Sequence, residues 1–289
     1  MAIDLSTARR LWRLLEPIHA VTYFSDETRE AMAAVGYRGF WMGYFAGRSA
    51  PLGPVGPEIV TALFYNFAPG RVARALPDAW DYAPPETALT VRRDAAVATL
   101  TRMLGEDGED AADRVVALLR PAVTGADLGG RALFAANSAL AWPGDRYGAL
   151  WHTATLLREH RGDGHVAALT AAGITGREAG VLHAMATATP RSVLETSRDY
   201  TEAEWETLAA ALADRGLLEH SGGITPAGRA LKGEIETTTD RLAAPAYAGL
   251  RDADVEDLTS ALMSLAKVVV ASGEIPPQTP IGLDLDDVG

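Results

Sequence analysis

Residues 175–226 read TGREAGVLHAMATATPRSVLETSRDYTEAEWETLAAALADRGLLEHSGGITP. Thr175-Gly-Arg-Glu178 and Thr201-Glu-Ala-Glu204 are capping boxes: in each, a threonine hydroxyl and a glutamate three residues on satisfy one another's free amides at a helix start. Val181, Leu182 and Met185 supply the core face of the first helix. Pro190 opens a short second one to about Thr196. Trp205, Leu208 and Leu212 face the core from the third, which Gly216 ends. Leu217–His220 and Ile224-Thr225 are expected to pair as short strands around Gly222-Gly223. Thr225 then caps a further helix with Pro226 in its first position. Three helices, a two-stranded wing and a following helix predict a winged helix-turn-helix.

Upstream, the same signals predict a mainly α chain. Leu11, Trp12, Leu14 and Leu15 mark a first helix ending at Pro17, followed by a connector, His19–Phe24. Ser25 caps the next helix, to Val35. Gly39, Gly43 and Gly47 share a helix face and permit a tight crossing with a neighbour. Helices are expected at about 57–67, 69–76, 85–104, 111–122 and 131–141, with the acidic run 105–113 as a surface loop. Trp142-Pro-Gly-Asp145 breaks the chain before a helix from Tyr147 to His160, and Gly162 and Gly164 are read as interrupting it. A last helix is expected at 254–271.

Two stretches overlay with a drifting offset. Tyr37-Arg-Gly39 matches His160-Arg-Gly162, Gly43-Tyr-Phe-Ala46 matches Gly164-His-Val-Ala167, Gly56-Pro-Glu58 matches Gly176-Arg-Glu178, and Tyr82 and Glu86 match Tyr200 and Glu204. This pattern predicts a duplication: a degenerate winged-helix-like half at 1–123, a winged-helix half at 124–273, pseudo-twofold symmetry between them, and a mobile acidic tail at 274–289. A cleft between such halves is a natural ligand site.

Composition narrows the function. The chain has 289 residues, no cysteine and a formal charge of −12. Disulfides and thiolate metal sites are excluded. The N-terminus lacks a signal-peptide pattern, and no apolar run is long enough for a membrane span, so the expected location is cytoplasmic. An acidic protein repels nucleic acid unless a basic face is segregated. The helix expected to read DNA, 202–215, carries Glu202, Glu204, Glu206 and Asp214 against Arg215, and the wing has no Lys or Arg. The equivalent first-half helix keeps Arg92, Arg93 and Arg102, so DNA remains a candidate partner.

The most unusual segment is Trp151-His-Thr-Ala-Thr-Leu-Leu-Arg-Glu-His-Arg-Gly-Asp-Gly-His165. Three readings compete. In the first the cluster is structural, with Asp163 pairing an arginine or capping a following helix. In the second it is a ligand or active site, with Arg158 or Arg161 holding an anionic oxygen and His160 or His165 moving a proton near neutral pH. In the third it holds a metal through His160, Asp163 and His165, although that spacing fits no familiar ligand grammar. A duplicated fold could bring His19 and Tyr23 to the same cleft. The aromatic set around Trp41 and Tyr44 is expected in the core, with part of it, and Trp151, lining an apolar pocket.

The stretch GRALFAANSALAWPGDRYGALWHTATLLREHRGDGHVAAL, with EPIHAVTYF at 16–24, FYNFAP at 64–69 and RALPDAW at 74–80, resembles the SalK-like helix-turn-helix family of bacterial proteins. The resemblance spans nearly the whole chain, and LREHRGDGH (157–165) is its most specific block. It implies that His19, Arg158, His160, Arg161, Asp163 and His165 occupy the family's motif positions, and it implies an association with natural-product gene clusters. Arg131-Ala-Leu-Phe and Ala141 depart from the expected proline-richer text, which touches packing more than chemistry.

The reading that follows is a small-molecule-binding protein, with cofactor-independent acid/base chemistry on a largely apolar substrate bearing an anionic or carbonyl group. His160, Asp163, His165 and His19 are the candidate catalytic residues. Arg158, Arg161, Tyr23, Trp151, Trp41 and Tyr44 are the candidate substrate contacts. No organic cofactor or metal is expected, and a homodimer is a candidate assembly. The rival classes are a ligand-responsive DNA-binding regulator and a His/Asp metal enzyme.

Overall fold

In the computed structural model, which describes residues 3–187 and 189–276, helix α1 (Leu5–Phe24) begins at Asp4, whose carboxylate accepts the Ser6 amide. It does not stop at Pro17. The proline lies inside the helix, and the segment expected as a connector, His19–Phe24, is its last turns. A mid-helix proline costs about 3 kcal/mol. Here Leu11, Leu14, Leu15, Ile18 and Val21 are each no more than 1% exposed, and their burial, at about 1.5–3 kcal/mol apiece, outweighs that cost. Helix α2 (Asp26–Ala34) starts where expected, with Ser25 accepting the Thr28 amide. Helix α3 (Gly39–Ser49) crosses it closely: a Cβ on Gly47 would lie 2.9 Å from Met32 Cε, and one on Gly43 would lie 3.1 Å from Met32 Cβ.

A short 3-10 turn (Ala50–Leu52) leads to α4 (Pro57–Leu63), α5 (Pro69–Ala73), α6 (Ala79–Tyr82), α7 (Pro85–Leu104), α8 (Glu109–Gly125) and α9 (Ala132–Ser138). Helix α10 (Arg146–Ala171) follows, capped by Asp145. It is one unbroken helix of 26 residues, and Gly162 and Gly164 do not interrupt it. Eighteen of its residues are buried, so packing on every side decides the backbone, and two glycines at about 1 kcal/mol each do not. Gly164 marks a crossing: a Cβ there would sit 3.2 Å from Leu242 Cβ on the helix that passes over it.

Next come α11 (Gly176–Thr187), α12 (Arg191–Arg198) and α13 (Glu202–Asp214). Both capping boxes supply their predicted threonine caps: Glu178 and Glu204 amides donate to Thr175 and Thr201 hydroxyls. The expected pair of strands is reduced to a single antiparallel bridge, Leu218 with Ile224, and no strand forms among the described residues. Gly222 and Gly223 turn the chain with positive φ of 87° and 116°, a conformation that leaves too few residues to extend the ladder. Thr225 caps α14 (Pro226–Ala243), a second 3-10 turn (Ala244–Tyr247) follows, and α15 (Asp252–Ala271) ends the helical order.

Three apolar cores form. The largest draws Leu11, Leu15 and Ile18 together with Leu100, Leu119, Leu150, Leu258 and Leu262, so it uses both sides of the 123/124 boundary. A second, aromatic core gathers Phe45, Phe64, Phe67, Val60 and Leu76. The third holds Ile174, Val181, Leu194, Trp205 and Leu212 of the helix-turn-helix unit. Of the acidic tail expected from 274, Glu274 pairs with Arg102 and Ile275 is buried in the first core; residues 277–289 lie outside the described residues.

The third core docks on the second through residues 64–66. The Tyr65 hydroxyl donates to Ile174 O at 2.9 Å, and a Cβ on Gly176 would fall 1.7 Å from Tyr65 O. Gly176→Ala is therefore expected to lower stability by about 3 kcal/mol, because backbone must move. Gly233→Ala, mid-helix and with open space at its Cβ, should raise it by about 0.5–1 kcal/mol. Urea unfolding checks both, and equal effects would contradict the docking geometry.

Candidate ligand-binding cleft

A cavity of about 440 Å³ lies where α1, α10 and the 63–67 segment meet α11, α12 and α14. Helical spacing explains its lining. On α10, Arg158, Arg161, Gly162, His165, Val166 and Leu169 share one face, and on α1, Arg9, Trp12, Arg13 and Glu16 do the same. Tyr44 and Arg48 reach it from α3, Arg198 from α12, and Lys232, Ile235 and Glu236 from α14. The walls thus carry seven basic residues, Arg9, Arg13, Arg48, Arg158, Arg161, Arg198 and Lys232, against two acidic ones, Glu16 and Glu236. The chain as a whole carries −12, so positive charge is concentrated here.

Several of these cations are held rigidly. Arg48 binds Glu159 through two parallel hydrogen bonds of 3.0 and 3.1 Å, and Arg158 donates to the same carboxylate at 2.9 Å. Burial opposes the charge on Glu159, but Arg158 and Arg48 outweigh it and hold the carboxyl below its usual range. Arg161 reaches Asp240 at 2.8 Å, which also accepts from Arg9 at 2.7 Å. Guanidinium planes lie over aromatic rings: Arg48 over Phe64 at 4.1 Å, Arg161 over Trp12 at 4.4 Å and Arg198 over Phe67 at 4.2 Å. Burial pushes the Arg198 pKa down to about 10.

The ten residues singled out from sequence separate into distinct settings. Arg158, Arg161 and His165 line the cleft, the last with its Nδ1 2.9 Å from the Thr239 hydroxyl. His19, Tyr23 and Trp151 line a second cavity of about 170 Å³ between α1, α2, α3 and α10, and Tyr44 borders both. His160 and Asp163 line neither. The His160 ring packs edge-on against Phe134, and Asp163 accepts the Phe134 amide at 2.9 Å. Asp163 therefore caps α9 across the fold, not a helix following it in sequence. Trp41 belongs to the aromatic core, with Arg71 4.4 Å above its ring.

Proton affinities also depart from expectation. Burial lowers His160 and His165 to about 4, so both are neutral imidazoles near pH 7 and weaker bases than the sequence suggested. Burial raises Asp163 to about 6. Among the described residues, no group of three or more His, Cys, Asp or Glu is placed to hold a metal ion, and His160, Asp163 and His165 point to separate neighbours. The basic set on α7 is engaged internally: Arg92 is buried against Gly47 O and Asn137, Arg93 pairs with Asp94, and Arg102 pairs with Glu27.

Sequence reasoning passed over Arg9, Arg13, Arg48, Arg198, Lys232, Glu16 and Glu159. Their signal was present: Glu16 precedes an in-helix proline in an apolar stripe, and Arg48 ends an apolar glycine-rich helix. Charges in such positions need partners.

No described helix is long and apolar enough to cross a membrane. A family model described as a helix-turn-helix family matches residues 8–276. No curated protein and no solved structure matches the chain.

Burial depresses His152, His160, His165 and His183 alike, to about 4. Unfolded histidines bind protons below about pH 6.5 while these do not, so stability is full above that value and falls as pH drops towards 4. Asp163, with its raised pKa, acts in the opposite sense: its contribution is present below about 3.9 and lost as pH rises through 6. Four groups outweigh one, and unfolding free energy should drop by at least about 3 kcal/mol between pH 7 and 4.5. Nitrogen-15 spectra at pH 6 should show all four rings neutral; an imidazolium signal from any of them would overturn that assignment.

Proposed function

The chain belongs to the helix-turn-helix family, and on that premise we propose that it binds a small organic anion with an apolar body in the arginine-lined cleft. The observation that carries this reading is the gathering of seven basic wall residues in an acidic protein, against Glu16 and Glu236 on the wall and Glu159 and Asp240 behind it. A guest carboxylate or phosphate would meet guanidinium groups already oriented by carboxylates and aromatic faces. Leu63, Leu133, Val166, Leu169, Leu182 and Leu194 offer its body an apolar wall. His165, neutral and fixed through Nδ1, supplies a ring nitrogen for a proton-bearing substituent.

The finer reading of the fold belongs here. Helices α11, α12 and α13, the bridged turn and α14 read as a winged helix with a minimal wing. Apart from a 3-10 turn and the short α6, which have no counterpart, α3, α4, α5 and α7 follow one another as late α10, α11, α12 and α13 do, which supports a degenerate first copy. The resemblance to SalK-like proteins supports a role in specialised metabolism, and we read the location as cytoplasmic.

A second reading, a ligand-responsive regulator, is favoured by one observation: α11, α12 and α14 form a wall of the cleft, so a guest would bear directly on the helix-turn-helix unit. Against direct DNA contact, α13 presents Glu202 and Glu206 to solvent.

Titration with 1-naphthoate, followed by its fluorescence, tests the first reading. Lys232→Gln and Arg158→Gln should each weaken binding about tenfold, and 1-naphthalenemethanol should bind far more weakly. Equal affinity for the anion and the alcohol would remove the proposal. Polarisation of labelled upstream DNA, with and without 1-naphthoate, tests the second.

A further inference from the structure

The smaller cavity is a separate chamber with its own chemistry. Its volume, about 170 Å³, is close to that of an engineered cavity that admits one benzene ring. Met32, Phe40, Tyr44 and Trp151 wall it with flat or flexible apolar surface. Gly43 and Gly47 border it on α3, where an added Cβ would lie 3.1 Å from Met32 Cβ and 2.9 Å from Met32 Cε respectively. Ala33 and Phe40, both exposed, mark its mouth.

Thr22, Thr28, Arg29 and Tyr37 also border this wall, Arg29 paired with Asp26 and the Tyr37 hydroxyl donating to Ala83 O; the groups that concern a guest are Tyr23, held by His19, and Arg92. His19 is wholly engaged: Nδ1 lies 2.9 Å from the Thr155 hydroxyl and Nε2 lies 2.8 Å from the Tyr23 hydroxyl. A phenol oxygen bonded once to an imidazole retains further capacity to accept. Arg92, 6% exposed, spends its two terminal nitrogens on Gly47 O and Asn137, and its buried Nε has no partner. An orphaned buried donor is costly and calls for an acceptor. Arg48 and Glu159 neutralise each other at the boundary with the cleft.

We infer that this chamber binds a single-ring phenol, its ring among Met32, Phe40 and Trp151 and its oxygen between the Tyr23 hydroxyl and Arg92. A hydroxyl both donates and accepts, as that pair requires. A carboxylate of the same size would lose its hydration in a mainly apolar space, at far greater cost. The inference does not rest on the cleft, whose anion would lie on the other side of Tyr44 and Arg48.

Fluorine-19 line broadening of 4-fluorophenol, fluorobenzene and 4-fluorobenzoate, added singly to the full chain, reads binding. The phenol should bind most tightly. Tyr23→Phe should weaken it about tenfold and leave fluorobenzene unchanged. Ala33→Trp, at the exposed rim, should block both, whereas Lys232→Gln in the cleft should alter neither. The inference is overturned if 4-fluorophenol fails to bind at millimolar concentration, if Ala33→Trp leaves its binding intact, or if 4-fluorobenzoate binds as tightly. Loss of phenol binding in Lys232→Gln would place it in the cleft and equally overturn it.

Discussion

Glu159 is a carboxylate 1% exposed in the middle of the most buried helix of the molecule, and the arrangement around it follows from keeping it ionised. An isolated buried anion is untenable, whereas one fixed by two guanidinium groups is stable, and removing either partner typically costs about 3–5 kcal/mol. Arg48 comes from α3 and Arg158 from the preceding position of α10, itself 3.5 Å from Glu16 on α1. One charge therefore brings three helices together at one point. The same contact sets Arg48 and Tyr44 as the partition between cleft and chamber.

Local grammar was legible wherever a cap or turn decides the backbone. The Thr175–Glu178 box, the Thr201 cap, Gly216 after α13, Pro226 at the head of α14 and the span of α7 all stand where the residues put them, although Glu204 turns from its expected box to Arg177. It failed where burial decides. Pro17 and Gly162–Gly164 are breakers in an exposed helix, but α1 and α10 run through them because their surroundings leave no room to deviate. The wing was over-read, since a β-branched pair flanking two glycines specifies a turn more strongly than it specifies strands.

The site was legible on one helix and illegible between helices. Arg158, Arg161 and His165 stood out as one block of sequence, but only the unbroken run of α10 sets them on one face. Arg198 and Lys232 meet them only through the packing of the third core, which no local pattern encodes. Helical continuity explains the other misplacement. On an unbroken α10, His160 and Asp163 rotate away from the cleft towards α9, where a broken chain could have gathered them with His165.

The contact of Gly176 with the Tyr65 carbonyl has a bearing on modularity. Helix-turn-helix units are often thought of as cassettes, portable between proteins. This one is joined to its host by backbone lying against backbone, with Arg177 also donating to Asn66 O. Excised, it would carry away a bare apolar seam, with Ile174 O parted from Tyr65 and the Asp199 carboxylate from Arg71 and Arg74. Its reach towards any external surface is consequently set by the N-terminal helices, and movement of the unit has to come as slippage along that seam instead of as a free swing.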